Sequence, residues 1–115
     1  MLSEQQQLVN PLIESAINEH EVVIFAKTWC PYCNRTKTLF KNSLPDGDVK
    51  VYDIDTMEAG DMIQDDLYKM TGQGTVPSVW VNGKFLGGNS ETQTAWKNGQ
   101  LSALLAGDET PELQQ

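Results

Sequence analysis

The only two cysteines of the chain, Cys30 and Cys33, stand in "KTWCPYCNRTK" (Lys27–Lys37), with Pro31 and Tyr32 between them. Two thiols at this spacing serve a metal site, a structural staple or a dithiol–disulfide reaction. A staple across so short a loop constrains little chain and stabilises little. Structural zinc needs a full tetrahedral ligand set. Beyond the two cysteines the chain offers a single histidine, His20, distant in sequence, which leaves open only a metal shared with another molecule. A reaction fits the pair best.

That reaction depends on where the thiols are held. "VVIFAK" (Val22–Lys27) is a short, β-branched apolar run and reads as a central strand covered on both faces. The cysteines follow at once, and "NRTKTLFKNSL" then reads as a helix ending near Leu44–Pro45. Cys30 therefore sits at a helix N-terminus, where unpaired N–H groups and the dipole favour an anion. Pro31 suits the first helical position, since it has no N–H to leave unpaired. Cys33 falls on the same face one turn later. Its Cα then lies within the ~4.4–6.8 Å that a disulfide spans. Deeper in the helix it gains less from the dipole and keeps its proton longer. One cysteine attacks and the other resolves.

The other elements frame this junction. "LVNPLIESAINEH" sets Leu8, Leu12, Ile13 and Ala16 at helical spacing, with Pro11 in the first turn. "VKVYDID" (Val49–Asp55) alternates like a strand. "AGDMIQDDLYKMTG" has Met62, Ile63, Leu67 and Met70 on one helical face and closes at Gly72. "PSVWVNGKFLGG" is a hairpin turning at Asn82–Gly83. "NSETQTAWKNG" begins a helix capped by Asn89 or Ser90, "LSALLAG" adds a short last helix, and residues 108–115 form a polar tail. The order α-β-α-β-α-β-β-α(α) predicts an α/β, thioredoxin-like fold: a four-stranded mixed sheet flanked by helices on both faces.

At 115 residues the chain is one domain, residues 1–115. A net charge of −8 at pH 7 argues against nucleic acid and anionic membranes as partners. No apolar run approaches the ~20 residues of a membrane span. "MLSEQQQLVN" lacks the basic start and apolar core of a secretory signal, so a cytoplasmic, reducing location is the expectation, and a close Cys pair there is catalytic or metal-binding sooner than structural. Charge is unevenly spread: Lys27, Arg35, Lys37 and Lys41 cluster around the cysteines, and no Asp or Glu occurs between Val22 and Pro45. Such a cluster gives either a basic solvated helix face or a local positive potential that favours a thiolate and draws anions.

"KTWCPYC", "TVPSVWVNG" and "GGNSET", at these separations, resemble the signature segments of dithiol glutaredoxins. The resemblance runs from about Leu8 to Leu105 and is similar in detail to fungal members. CPYC sets the chain apart from thioredoxins, with CGPC, and from monothiol glutaredoxins, with CGFS. The resemblance implies a glutathione-dependent thiol–disulfide oxidoreductase that reduces protein–glutathione mixed disulfides and protein or small-molecule disulfides. Cys30 would be the nucleophile and Cys33 the resolving cysteine. Glutathione would be an electron-donating co-substrate, with no permanently bound cofactor and no metal, and the protein would be a monomer. In "TVP" (Thr75, Val76, Pro77), Pro77 would be cis and Val76 would pair its main chain with the glutathione cysteine. Lys27 and Gln64 match positions that receive the glycine carboxylate. Gly88, Asn89 and Ser90 match the helix start that binds the γ-glutamyl carboxylate. Gly87 and Gly88 allow close approach, Glu91 would pair with the γ-glutamyl amine, and Tyr32 and Trp29 would cover the sulfur.

Two departures stand out. Gly74 occupies the place before "TVP" where many relatives carry a basic residue, so one contact to the glycine carboxylate is missing, worth about fivefold in affinity. Glu91 replaces the usual Asp. Two other readings use the same residues: a thioredoxin-like reductase driven by a flavoprotein, in which Lys27 and Gly87–Glu91 have no purpose, and a dimer holding an iron–sulfur cluster through Cys30 and glutathione, which Pro31 disfavours. Trp80 and Trp96 read as core or half-buried, and His20 as a helix-end residue without catalysis.

Overall fold

A computed structural model describes residues 10–107. Leu8 and the tail from 108 lie outside these residues. Helix α1 (Pro11–Glu19) starts on Pro11, and the Asn10 side chain accepts the Leu12 N–H at 2.8 Å, which caps it. Strand β1 (Val22–Ala26) leads through Lys27–Trp29 into helix α2 (Pro31–Ser43). Strand β2 (Val49–Asp53) and a tight turn at Ile54–Thr56 precede helix α3 (Gly60–Thr71). The hairpin is β3 (Ser78–Val81) and β4 (Lys84–Gly87), followed by helices α4 (Asn89–Lys97) and α5 (Gln100–Leu105).

The sheet order is β2-β1-β3-β4, with β1 parallel to β2 and antiparallel to β3. The mixed four-stranded sheet is as the sequence predicts. Its centre is β1, every residue of which is fully buried. Strand geometry sends alternate side chains to opposite faces. Val22, Ile24 and Ala26 join Leu39, Phe40, Ala95, Leu101 and Leu104 of α2, α4 and α5 on one face. Val23 and Phe25 meet Ile13, Ile17, Ile63 and Leu67 of α1 and α3 on the other. Burying each of the larger side chains contributes about 1.5–3 kcal/mol, so the strand that feeds the cysteines is firmly anchored on both faces. Both thiols belong to the first of these faces.

Asn82 and Gly83 turn the hairpin at φ 49° and 81°, the paired positive angles that an Asn-Gly turn supplies. Gly72 ends α3 with φ 80°, as predicted. Three expectations need correction. β2 stops at Asp53 because the chain coils into the Ile54–Thr56 turn. Met62 is 60% exposed; Ile63 and Leu67 carry the buried face of α3. Trp96 is 42% exposed, whereas Trp80 is core, its indole N–H donating to Ser78 Oγ at 3.0 Å.

Candidate active site

Cys30 is the cap of α2. Its backbone is extended (φ −87°, ψ 117°), and its sulfur accepts the Cys33 N–H at 3.2 Å. Pro31 takes the first helical position, so the loop rises directly off β1 and turns once. A sulfur that accepts a first-turn N–H occupies the place where a helix best supports negative charge. Cys33 is fully buried, while Cys30 keeps 5% exposure at the rim. Burial, then the hydrogen bond to Cys30, pushes the Cys33 thiol up to about 12, against smaller opposing effects of the Lys27 main chain and the Lys37 charge. Cys33 is therefore protonated at neutral pH. The division between an attacking and a resolving cysteine, expected from position alone, has a physical basis on the side of Cys33.

The link from β1 to Cys30 is pinned from outside. Asp55 accepts the Thr28 N–H at 3.0 Å and the Thr28 hydroxyl at 2.5 Å. The hydroxyl bond is the main cause that holds the Asp55 carboxyl below its usual range. The basic cluster is partly spent on neighbours. Lys37 pairs with Asp53 at 2.9 Å. Lys27 Nζ lies 5.8 Å from the Trp29 ring centre and Arg35 lies 5.2 Å from that of Tyr32. Trp29 and Tyr32 themselves are 67% and 58% exposed, so neither is a packing residue.

Across from the thiols stands the Gln73–Pro77 loop. The Val76–Pro77 peptide is cis. Cys30 Sγ lies 3.9 Å from the Val76 carbonyl oxygen, within reach of a weak S–H···O contact. Beyond the loop, α4 begins at Gly88, not with a cap at Asn89 or Ser90 as expected: these are its first two residues. The reason is Glu91, whose Oε1 reaches back to accept the Gly88 N–H at 2.8 Å. A glycine cap has no side chain to bond the first-turn N–H groups of α4. Gly87, at φ 133°, lets the chain pass Glu91; a β-carbon there would lie 2.8 Å from the Glu91 Cβ and Cγ.

These walls enclose an open cleft of about 610 Å³. It gathers eight of the predicted ligand-binding residues: Tyr32, Thr75, Val76, Pro77, Gly88, Asn89, Ser90 and Glu91. Lys27, Gln64 and the two cysteines are not among its lining; Cys30 meets it through Val76, whose carbonyl its sulfur approaches. The Gln64 amide donates to the Gly74 carbonyl at 2.9 Å, which ties it to the loop, and a β-carbon on Gly74 would lie 3.4 Å from the exposed Tyr68 ring. One lining residue, Gln73, was not anticipated. A second groove of about 660 Å³ runs between α2 and α4, past Asn34, Asn42, Gln93 and Trp96; neither cysteine lines it. The His20 ring meets Asp48 at 2.8 Å, far from the thiols, and lowers the Asp48 carboxyl.

A cysteine pair at a strand–helix junction, facing a cis-proline loop on a four-stranded mixed sheet, defines a thiol oxidoreductase of thioredoxin-like fold. The glutaredoxin family profile matches residues 22–86, and the chain belongs to that family. It is 44% identical over 93 residues to Glutaredoxin-C8 of Oryza sativa subsp. japonica, covering 81% of this chain and 68% of that protein. A fungal relative, Glutaredoxin-1 of Saccharomyces cerevisiae, is 40% identical over 95 residues, covering 81% and 86%. Longer mammalian relatives are spanned over only 56% to 58% of their length. Among solved structures, a buckwheat glutaredoxin–glutathione complex superposes with a TM-score of 0.80 at 33% identity, covering 90% of this chain and 92% of that one. The protein is accordingly a glutathione-dependent thiol oxidoreductase.

Proposed function

We propose that Cys30 is the nucleophile of a deglutathionylation cycle and that glutathione lies along the cleft between the Val76 loop and the start of α4. The observation that carries this reading is the approach of Cys30 Sγ, 3.9 Å, to the carbonyl of Val76, a residue that lines a cleft of about 610 Å³. The Cys30 thiolate attacks the glutathione sulfur of a protein–glutathione disulfide. A Cys30–glutathione disulfide forms, the protein–glutathione bond breaks, and the protein thiolate leaves and takes a proton. A second glutathione thiolate then attacks the same glutathione sulfur, which releases glutathione disulfide and restores Cys30.

The bound glutathione adds a short strand-like segment beside Val76. Its γ-glutamyl carboxylate meets the first-turn N–H groups of Asn89 and Ser90, where a helix start suits an anion. Its amine meets the second oxygen of Glu91, since Oε1 is engaged by Gly88. Lys27 takes the glycine carboxylate; Gln64 joins it by exchanging its bond to Gly74 for one to the ligand. On a protein disulfide, Cys33 attacks the Cys30–protein disulfide, forms the Cys30–Cys33 bond and passes its proton to the departing protein thiolate. The protein works as a monomer in the cytoplasm, a reducing compartment that keeps both thiols available. Light scattering and cell fractionation test those two statements.

The experiment compares one peptide carrying its cysteine either glutathionylated or cysteinylated. Reduction of the glutathionylated form is expected to be faster by at least about tenfold, since only it fills the cleft. Equal rates on both forms would remove glutathione recognition from the account.

A further inference from the structure

Gln73 lines the cleft and has no part in the cycle described above. Its surroundings give it one. Gly72 ends α3 in the left-handed region, and the Gln73 N–H is then tethered to Thr71 Oγ1 at 3.0 Å, whose hydroxyl lies 2.8 Å from the Leu67 carbonyl. The main chain of Gln73 is thus fixed to the end of a packed helix. From there its side-chain amide Nε2 donates to the Thr75 carbonyl and to the Pro77 carbonyl, both at 3.1 Å. An amide nitrogen carries two hydrogens, and these two bonds use both. The two acceptors also decide which way the amide faces, so Oε1 points the other way. It lies 3.7 Å from where a β-carbon on Gly88 would stand.

The two carbonyls belong to the residues on either side of Val76, and Gly88 caps the helix of the opposite wall. We infer that Gln73 is the positioning residue for glutathione selectivity: it clamps Thr75 and Pro77 so that the Val76 main chain is presented in one orientation, at a fixed distance from the Gly88 helix start. This rests on the proposed glutathione site and names a residue that sharpens it. A loop held only by its ends samples several orientations, and ordering it on binding weakens the ligand by that cost. With the clamp, the ordering precedes binding.

The test holds Cys33→Ser constant, so that a mixed disulfide on Cys30 persists, and adds Gln73→Ala or Gln73→Glu. Glu fills the same space but turns a carboxylate, with no hydrogens to give, toward two carbonyls. Each protein is equilibrated with glutathione and glutathione disulfide at fixed ratios. One disulfide bond breaks, the Cys30–glutathione bond forms, and the Cys30 proton ends on the released glutathione thiol. Mass spectrometry reads the fraction modified, and bis(2-hydroxyethyl) disulfide with its thiol serves as the comparison couple.

The glutathione equilibrium constant is expected to fall about five- to tenfold in both variants, with the hydroxyethyl constant unchanged. Equal falls for both couples would mean that Gln73 acts on Cys30 or on the fold in general, and would overturn the inference. No fall in either would overturn it too. A parent that itself takes glutathione no better than hydroxyethyl disulfide would remove the glutathione site along with the clamp. Should the Ala variant not fold, Gln73→Glu carries the same comparison.

Discussion

Two helices begin at one cleft, and they begin differently. At α2 the cap is Cys30, whose sulfur accepts the Cys33 N–H. At α4 the cap is Gly88, which has no side chain, and Glu91 returns from the first turn to bond the cap's own N–H. Both starts present the positive end of a helix. The first uses it on a side chain that belongs to the protein, so the reactant is built in. The second has no side-chain acceptor at its cap, and in the proposed function its N–H groups receive an anion brought from outside. Chemistry and recognition thus draw on the same electrostatics, and what separates them is whether the cap residue carries its own acceptor.

The largest effect comes from emptying the first start. Cys30→Ser should reduce turnover of a glutathionylated peptide to the uncatalysed rate. Serine is itself a good helix cap, so the thermal midpoint should stay within about 4 °C of the parent. A midpoint that collapses with the activity would show that the sulfur mainly holds the helix. Next is the entry to the second start. Gly87→Ala puts a β-carbon 2.8 Å from the Glu91 side chain at φ 133°. The loss should be about 1–3 kcal/mol in denaturant unfolding, accompanied by weaker glutathione use.

A smaller effect separates the two tasks of Glu91. Glu91→Gln keeps an oxygen for the Gly88 N–H and drops the charge, whereas Glu91→Ala loses both. Stability should fall by about 1 kcal/mol in the Ala variant only, while both lose about fivefold in kcat/KM for glutathionylated peptide. If the Gln variant keeps full efficiency, Glu91 is a cap and nothing more. The smallest effect at neutral pH belongs to Cys33. Its thiol is pushed up to about 12, so the folded state binds the proton more tightly than the unfolded one. Its contribution is whole below the ordinary thiol value of ~8.5 and is lost as pH climbs from there toward about 12. Unfolding of parent and Cys33→Ser at neutral and strongly alkaline pH should show the parent losing more on the alkaline side.

Much of this was readable in the residues, for reasons that differ by region. The strand–helix junction at Cys30 and the Asn82–Gly83 hairpin are local: neighbours within a few positions dictate them. Eight of the nine residues that line the cleft were legible through three motifs, because the resemblance rests on segments held at fixed separations. What stayed hidden depends on chain reversals. Gln73 looks like an ordinary polar loop residue until Gly72 turns the chain and brings its amide over Thr75 and Pro77. The cap of α4 was misplaced because Asn89 and Ser90 are good caps by type, and the bond from Glu91 back to Gly88 outweighs that preference. Asp66 sits on the inner side of α3 at 5% exposure, with Lys69 3.9 Å away at its rim, a burial that helical spacing of polar residues does not announce.

The most direct test of the central claim, that Cys30 with glutathione completes the cycle by itself, is turnover of a glutathionylated peptide by Cys33→Ser, with glutathione and glutathione reductase supplying electrons. The account predicts a rate at or above that of the parent, because a buried, protonated Cys33 adds nothing to this route and otherwise competes for the mixed disulfide. A Cys33→Ser protein that is inactive beside an active parent would contradict it and hand the reaction to the cysteine pair.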